Sequence, residues 1–312
     1  MSAMATRGGP RHFDDALRAE LRARVRGAVR FDEPMRLHTS WRVGGPAEAF
    51  VAPADTDDLV ETVKFAHGHA LPKLLVGGGS NLLVLDGGIP GLVIDTTFGL
   101  RSLHQEGALV VAEGGCRIGR LLTFCATRGR AGLEFLADIP GTVGGVVLMN
   151  AGAMGGEVKH VARWLDIARE DGQRARIDAT SVPFVYRHAP LPEGCVVLNA
   201  ALETHDGEPK AVQARISEIR RKRRAAQPQG ASAGSTFKNP PGDFAGRLIE
   251  AAGLKGRRVG DAEISVRHAN FIVNVGQATA KDVQALVQLA QEEVRRSFQV
   301  ELELEVKVVG LP

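Results

Sequence analysis

The chain has 312 residues, a length that accommodates two or three domains. Its hydrophobic fraction of 44% and charged fraction of 24% are typical of a globular protein and exclude intrinsic disorder. Lys and Arg total 39 against 36 for Asp and Glu, which excludes a polycation and leaves only a local patch for nucleic-acid binding. The longest apolar and glycine-rich run, near residues 141–156, is interrupted by Thr142 and Asn150 and predicts no membrane span.

Three cysteines, Cys116, Cys125 and Cys195, lack the spacing of a zinc site or of a disulfide framework. Residues 1–30 contain no apolar segment of the kind that a signal peptide requires. We therefore predict a protein of the reducing cytoplasm without a bound metal.

The first ninety residues predict two helices and two short strands. The helices cover residues 14–29 and 55–69, and the second carries acidic residues in its first turn, where the helix dipole favours them. Residues 72–76 and 82–85 predict apolar strands on either side of a glycine-rich segment.

Residues 88–206 predict mostly strands, because short apolar or alternating runs are bounded by Gly, Asp and Pro. These runs cover residues 91–96, 108–113, 164–170, 174–177 and 196–204, and one helix over residues 118–128 interrupts them. Beyond residue 206 the predicted elements are helices over 209–224, 244–253 and 280–298, a strand over 270–274 and an alternating strand over 300–309. The last hundred residues therefore predict a separate α+β unit.

Two glycine-rich segments are candidate ligand loops. In residues 77–81 (GGGSN), N–H groups without neighbouring Cβ atoms could bind a pyrophosphate. The spacing matches neither a dinucleotide fingerprint nor a P-loop, so a tight hairpin is equally compatible. The second segment covers residues 140–145 (PGTVGG) and continues to residue 156. Two such loops beside apolar strands suit a flat ligand lying along the backbone, and the alternative is a pair of crowded turns.

Two polar segments contain candidate catalytic residues. Arg187, directly after Tyr186, could bind a carboxylate or phosphate through two N–H groups, or lie on a surface loop without a partner. Ser235 lies in a turn-rich loop and could donate a proton in a site that excludes water. The alternative for Ser235 is a plain serine-rich loop.

Two charged patterns each have more than one interpretation. Glu301, Glu303 and Glu305 alternate along the predicted last strand, so all three should point to one face, and the pattern does not select among them. The basic run 220–224 lacks interleaved aromatic residues, which favours a solvated helix end or contact with a ligand's phosphates over nucleic-acid binding.

Six motifs occur together in one order along the chain. They are residues 39–47 (TSWRVGGPA), 76–81 (VGGGSN), 140–157 (PGTVGG followed by NAGAMGGE), 186–187 (YR), 232–240 (SAGSTFKNP) and 268–274 (HANFIVN). Together they resemble the UDP-N-acetylenolpyruvoylglucosamine reductase family, the flavoenzymes of peptidoglycan precursor synthesis. The similarity extends from about Phe31 to Gly310, and residues 1–30 carry no part of it.

The resemblance implies an α+β fold in which a two-part FAD-binding region of the vanillyl-alcohol-oxidase type precedes a C-terminal substrate domain. For this chain we expect an N-terminal helix or arm over residues 1–30 and an FAD-binding region over 31–205, split near residue 90. Residues 206–312 would form the substrate-binding domain, whose last strand returns to the active site. The resemblance implies FAD contacts from Gly77, Gly78, Gly79, Ser80, Asn81, Leu82, Gly141, Thr142, Gly144 and Gly145.

The family reaction implies that the enolpyruvyl double bond of UDP-N-acetylglucosamine enolpyruvate is reduced to give UDP-N-acetylmuramate. In the family, NADPH gives a hydride to flavin N5, and the sugar nucleotide then takes that hydride and a proton. By resemblance, Arg187 holds the substrate carboxylate and Ser235 donates the proton. Glu305, in the motif Glu-Val-Lys-Val-Val-Gly, is the implied catalytic glutamate.

The resemblance also implies substrate contacts from Asn239 and Tyr186. The chain departs from many family members at Ala189, where they have serine, and a hydrogen bond near the flavin is then absent. The segment between Arg187 and Ser235 is too short for the tyrosine-bearing lid of one subclass. We therefore predict the subclass without that lid, in which Gln227, Arg223 and Arg224 are candidates for covering the substrate diphosphate.

Two alternatives stay open from the sequence. Another FAD-dependent oxidase or dehydrogenase of the same fold would need neither Ser235 nor Glu305. Many such enzymes tether the flavin to His or Cys, which neither glycine segment contains. A module that binds nucleic acid through the basic run would be colourless and strongly salt-dependent. We expect a sugar-nucleotide substrate, no nucleic-acid or membrane partner, and a monomer.

Overall fold

The computed structural model describes residues 13–312. The first twelve residues of the predicted N-terminal helix or arm, which are also part of the segment inspected for a signal peptide, lie outside the described residues. Within residues 13–95 the elements are α1 (Asp15–Arg24), β1 (Ala28–Pro34), β2 (Pro46–Ala52), α2 (Thr56–Gly68), β3 (Lys73–Val76), β4 (Leu82–Val84) and β5 (Ile89–Asp95).

Helix α1 is shorter than the predicted 14–29. Val25 has extended backbone, and the N–H groups of Arg26 and Gly27 each donate to the buried carboxylate of Asp58 at 2.8 Å. These contacts direct the chain into β1, which pairs antiparallel with β2. Hydrogen bonds to Asp58, which is distant in sequence, thus end the helix before its apolar pattern ends.

The first sheet has the strand order β1-β2-β5-β3, and β5 is parallel to both of its neighbours. Strand β4 does not join this sheet, although it follows β3 after five residues. It pairs instead with the last strand of the chain. Residues 77–81 therefore connect two different sheets, which excludes the hairpin alternative for GGGSN.

The second region has one five-stranded antiparallel sheet and three α-helices. Its elements are β6 (Leu103–Glu106), β7 (Leu109–Glu113), α3 (Ile118–Thr127), β8 (Arg130–Ala131), α4 (Val143–Leu148), β9 (Gly152–Ala153), β10 (Gly156–Glu157), α5 (Val158–Val161), β11 (Ala162–Ala168), β12 (Arg174–Asp178), β13 (Val196–Glu203) and β14 (His205–Asp206). The sheet order is β12-β11-β13-β7-β6. The sequence did not predict α4, because two of its six residues are glycines, which have low helix propensity.

The third region contains α6 (Pro209–Ala226), α7 (Ala245–Ala251), β15 (Arg258–Val259), β16 (Ala262–Ile264), β17 (Ile272–Asn274), α8 (Ala280–Phe298) and β18 (Lys307–Val309). Helix α8 has the predicted bounds and begins with a capping box formed by Thr279 and Asp282. The predicted strand over 300–309 is wrong for most of its length, since only Lys307–Val309 form a strand. Residues 305 and 306 bend, and both of their N–H groups donate to the carbonyl of Thr236, at 2.9 and 3.4 Å.

The third region is interlocked with the first. Trp41, from the first region, is fully buried in the core of the third, where its indole N–H donates to the carbonyl of Ile272 at 2.6 Å. Strand β18 returns to pair in parallel with β4. The Asp86 carboxylate accepts the first N–H groups of α8, from Ala280 and Lys281. These contacts fix the C-terminal residues against β4 and the loop that follows it. Within residues 13–312, no helix is long and apolar enough to cross a membrane.

Candidate active site

All three regions contribute walls to one cavity of about 560 Å³. The first region supplies residues 77–82, and the second supplies 138–142 together with Gly145, Val146 and Leu148 of α4. The third supplies the loop between α6 and α7, with Glu305 and Lys307 from the end of the chain. The two glycine segments and the returning C-terminus therefore meet around one space.

The two glycine segments lie against each other at van der Waals distance. A Cβ atom on Gly78 would lie 2.9 Å from the Cα of Gly141, and one on Gly77 would lie 2.4 Å from Oγ1 of Thr142. Gly79 has a positive φ of 60° and its Cβ would collide with the carbonyl oxygen of His38. Larger residues would therefore force the two loops apart.

Polar side chains join the glycine segments to each other and to the C-terminus. The Ser80 hydroxyl donates to the carbonyl of Pro140 at 3.1 Å. The Asn81 amide donates to the backbone carbonyl of Glu305 at 3.2 Å, and the carbonyl of Asn81 accepts the N–H of Lys307 at 3.0 Å. Leu82, buried, lines the cavity at the start of β4.

Arg187 and Glu305 form an ion pair in the cavity. Nε of Arg187 lies 2.9 Å from Oε1 of Glu305, and both side chains are mostly buried. Burial raises the pKa of Glu305 above its usual value, and the positive charge of Arg187 opposes that rise. Arg187 has a positive φ of 59° in a tight turn closed by hydrogen bonds between Val185 and His188. The turn directs the Arg187 guanidinium at the carboxyl of Glu305, whose pKa is raised by burial.

The three glutamates near the C-terminus do not point to one face, so that prediction is wrong. Glu301 is exposed, and Glu303 is exposed and pairs with Lys238 at 3.1 Å, whereas Glu305 is directed into the cavity. The bend at residues 305–306 changes the direction of the chain, and strand alternation no longer applies.

Ser235 lines the same cavity. It follows Gly234, which has a positive φ of 78°, and precedes the fully buried Thr236. Because the Thr236 carbonyl accepts the Glu305 N–H at 2.9 Å, the backbone next to Ser235 is bonded directly to the backbone of Glu305. The candidate proton donor and the candidate glutamate thus belong to hydrogen-bonded segments.

The cavity also carries charges suited to an anionic ligand. Arg223 lines it, and the buried Nε atom of this side chain has no hydrogen-bond partner among residues 13–312. Burial lowers the pKa of Arg223, while nearby Asp138 acts in the opposite direction. Among the lining residues in the described part of the chain, Arg187, Arg223 and Lys307 outnumber the two carboxylates, Asp138 and Glu305.

Some predicted site residues lie elsewhere. Gln227, Gly145 and Thr142 line the cavity, but Gly144, Asn239, Tyr186 and Arg224 are not among its lining residues. Gly144 packs against Gly114, to whose carbonyl it donates its N–H at 2.7 Å. Asn239 is exposed and accepts the N–H of Ala245, at the start of α7. Arg224 is exposed, with Asp138 3.8 Å away. Tyr186 is exposed, and the guanidinium carbon of Arg187 lies 5.0 Å from the centre of its ring.

Several lining residues were not predicted as site residues. They are Ser40, Asp138, Met149, Phe271 and Lys307. Each lies within or next to one of the six motifs or the C-terminal glutamate motif, so proximity to a motif was the available signal. Ala189 is buried outside the cavity and donates its N–H to the carbonyl of Leu148.

Comparison with known proteins identifies the two parts of the chain. A model described as "UDP-N-acetylenolpyruvoylglucosamine reductase, C-terminal domain" matches residues 227–309, and one described as "FAD binding domain" matches residues 47–178. A UDP-N-acetylenolpyruvoylglucosamine reductase of Rubrobacter xylanophilus is 48% identical over 91% of this chain and 96% of its own length. The chain belongs to the UDP-N-acetylenolpyruvoylglucosamine reductase family.

Two further relatives support the same family assignment. A reductase of Desulforamulus reducens is 43% identical over 95% of this chain and 98% of its own. The crystal structure of the Thermus caldophilus reductase has a TM-score of 0.79 and 38% sequence identity, covering 91% of this chain and 99% of that one. The predicted family and the predicted α+β fold, an FAD-binding region of the vanillyl-alcohol-oxidase type followed by a C-terminal domain, are confirmed. The exact domain boundaries and the lid subclass stay predictions.

The residues present fit the FAD that the reductase family implies. Gly77, Gly78 and Gly79 line the cavity, and Cβ atoms there would collide with Thr142, Gly141 and His38, so glycine at these positions lets the loops that form this wall pack together. The cavity is large enough to hold a substantial part of such a ligand. The three cysteines are all buried and none lines this cavity, which removes them as sites of a flavin tether. No group of His, Cys, Asp and Glu within residues 13–312 is arranged to hold a metal.

Proposed function

We propose that this chain reduces the enolpyruvyl group of UDP-N-acetylglucosamine enolpyruvate to give UDP-N-acetylmuramate, with FAD as its cofactor and NADPH as the reductant. The observation that carries the proposal is the Arg187–Glu305 ion pair, in the cavity that Ser235 and both glycine segments also line. Membership of the reductase family supplies the substrate class.

Arg187 binds the carboxylate of the enolpyruvyl group. Its planar guanidinium can donate two parallel N–H groups to a carboxylate, and it keeps its charge through the reaction. When negative charge develops on the substrate beside that carboxylate, the fixed arginine stabilises it without reorganisation. The contacts with Glu305 and with the Gly152 carbonyl hold the guanidinium in place before substrate arrives.

Ser235 and Glu305 handle the proton. The Ser235 hydroxyl donates a proton to the α-carbon of the substrate, because an enolate carbon is more basic than the serine alkoxide. Glu305 lines the same cavity, where burial raises the pKa of its carboxyl. When this carboxyl is protonated, it stabilises the negative charge that develops on the substrate.

FAD binds along residues 77–82 and 141–145. When bound, it would accept a hydride from NADPH and supply it to the β-carbon of the enolpyruvyl group. The chain contributes close backbone approach at Gly77, Gly78 and Gly79, and it keeps Asn81 in contact with Glu305. The cofactor wall and the acid–base residues are therefore parts of one hydrogen-bonded unit.

Arg223 and Gln227 contact the substrate diphosphate. The buried Arg223 Nε atom, without a partner among residues 13–312, is suited to a phosphate oxygen, and Gln227 lines the same wall. Asn239, Tyr186 and Arg224 are not among the residues that line the cavity, although the ring of Tyr186 lies next to the Arg187 guanidinium.

The test is NADPH oxidation by FAD-loaded protein, with and without UDP-N-acetylglucosamine enolpyruvate. The proposal predicts oxidation that depends on the sugar nucleotide and yields UDP-N-acetylmuramate. A protein that binds FAD but ignores this substrate would favour another oxidase or dehydrogenase of the same fold. A protein that takes up no FAD would contradict the whole proposal.

A further inference from the structure

A buried asparagine outside the acid–base set holds the segment that follows Ser235. Asn270 is only 3% exposed. Its side-chain Nδ2 donates to the carbonyl of Phe237 at 2.8 Å, and its Oδ1 accepts the N–H of the same residue at 2.9 Å. The amide thereby satisfies both backbone groups of Phe237, as a neighbouring β-strand would.

The backbone of Asn270 adds a third contact. Its carbonyl accepts the N–H of Thr236 at 2.8 Å. One residue therefore fixes three backbone groups in the two positions directly after Ser235. A buried backbone N–H or C=O group without a hydrogen-bond partner destabilises the folded protein. This requirement restricts the positions that residues 236 and 237 can adopt.

The opposite edge of the same segment holds Glu305. The Thr236 carbonyl accepts the Glu305 N–H at 2.9 Å, and the N–H of Lys238 donates to the carbonyl of Glu303 at 2.8 Å. Residues 236–238 thus lie between Asn270 and the residues that carry the catalytic glutamate. A displacement of this segment would move Ser235 and Glu305 together.

The chain before Ser235 is held at fewer points. Residues 227–234 form no helix or extended strand, and Gly230 and Gly234 have positive φ values of 125° and 78°. The carbonyl of Ala231 accepts the N–H of Asn274 at 2.8 Å, but this contact lies four residues before Ser235. The contacts made by Asn270 are closer to Ser235, at the two residues that follow it directly.

We propose that Asn270 is a positioning residue that aligns Ser235 with Glu305 for proton transfer. The inference rests on the proposed function, and Asn270 itself does not line the cavity or touch substrate. Its loss should slow the step that needs the proton and leave the reduction of bound flavin by NADPH unchanged. A displacement of about 1 Å in such a site can cost on the order of 10²-fold in rate.

The test compares Asn270→Asp with Asn274→Asp. The first variant keeps the shape but replaces the donor that faces the Phe237 carbonyl with an oxygen. Asn274 is a matched control, because its buried amide also donates to a carbonyl, that of Trp41, and accepts the N–H groups of Gly276 and Ala278. The same substitution there removes a similar bond without touching residues 236–238.

In rapid mixing, Asn270→Asp should slow reoxidation of the NADPH-reduced flavin by the sugar nucleotide on the order of 10²-fold. Flavin reduction by NADPH should stay within about twofold of wild type in both variants. Equal rates for Asn270→Asp and Asn274→Asp in both half-reactions would overturn the proposal. Asn270→Ala, which removes both side-chain bonds without adding charge, serves if the aspartate variant does not fold.

Hydrogen exchange tests the same contact independently of activity. The amides of Thr236, Phe237 and Glu305 should exchange faster in the Asn270 variant than in wild type, and those of α8 should not. Unchanged protection at these three amides would overturn the proposal. A wild-type protein that ignores the sugar nucleotide would refute the proposed function, while the exchange result would still decide whether Asn270 holds this segment.

Discussion

The Asn81 side chain donates a hydrogen bond across 3.2 Å to the backbone carbonyl of Glu305, although these residues come from the first and the last parts of the chain. Asn81 ends the first glycine segment, which forms the proposed cofactor wall, and Glu305 is the proposed catalytic carboxyl. The contact fixes the position of Glu305 relative to residues 77–81. The parallel pairing of β4 with β18 starts at the next residue, Leu82, and extends this coupling.

Replacing Ser235 with alanine should separate the two half-reactions. Loss of a positioned general acid costs about 10² to 10⁴-fold in the step that uses it. Flavin reduction by NADPH should persist, while reoxidation by the sugar nucleotide should fall by that factor. Stopped-flow absorbance measures both rates. Ser217→Ala, exposed on α6 and outside the cavity lining, is the control. Survival of both half-reactions in Ser235→Ala would mean that another group supplies the proton.

The Glu305→Gln and Glu303→Gln variants should differ strongly in kcat. Glu305 faces the cavity and pairs with Arg187, whereas Glu303 is exposed and pairs with Lys238. The first change should lower kcat by about 10²-fold or more, and the second should have little effect, since exposed ion pairs contribute little. Steady-state kinetics measures the difference. Reversed severities would show that the wrong carboxyl was assigned.

The raised pKa of Glu305 predicts how stability depends on pH. Burial favours the protonated carboxyl in the folded state, so the folded protein holds that proton at a higher pH than the unfolded chain does. Stability from this group is complete below the unfolded pKa and is lost as pH rises through the folded pKa. Denaturant unfolding of the cofactor-free protein should therefore find Glu305→Gln more stable than wild type at neutral pH, with the difference vanishing in acid.

The opposite pH trend would contradict this account. If Glu305→Gln were less stable and the difference grew with pH, attraction to Arg187 would outweigh burial. The pKa of Glu305 would then lie below its usual value, opposite to the effect of burial. Glu303→Gln is again the control, because its carboxyl is exposed.

Gly78→Ala should weaken FAD binding by about tenfold or more, which corresponds to about 1.4 kcal/mol. The added Cβ would lie 2.9 Å from the Cα of Gly141, and backbone atoms cannot move aside as a flexible side chain can. Gly119→Ala is the control, since that position lies within α3 with no atom within 4 Å. Fluorescence titration of the cofactor-free variants measures the affinity. Equal FAD affinity in both variants would mean that the glycine segments do not form the cofactor wall.

The sequence predicted the elements whose signals are local. Helix α8 has a capping box and a continuous apolar stripe, and its predicted bounds are correct. The glycine segments, Arg187, Ser235 and Glu305 were identified from their motifs, and the cavity contains them. No local pattern indicated that residues 77–81 connect two sheets, because the partner of β4 is the last strand of the chain.

The errors have the same origin in contacts between distant residues. Alternation predicted that Glu301, Glu303 and Glu305 share a face, but two N–H groups converging on the Thr236 carbonyl bend the chain at Glu305. The apolar pattern predicted a longer α1, but the Asp58 carboxylate binds the N–H groups at its end. The predicted substrate contact of Asn239 stays a prediction; in this structure its side chain accepts the N–H of Ala245 at the start of α7.

The most direct test of the account is a single turnover without oxygen. FAD-loaded protein is first reduced with one equivalent of NADPH and then mixed with UDP-N-acetylglucosamine enolpyruvate. The account predicts that the absorbance of oxidised flavin returns and that one UDP-N-acetylmuramate forms for each flavin reoxidised. Flavin that stays reduced in the presence of the sugar nucleotide would contradict it.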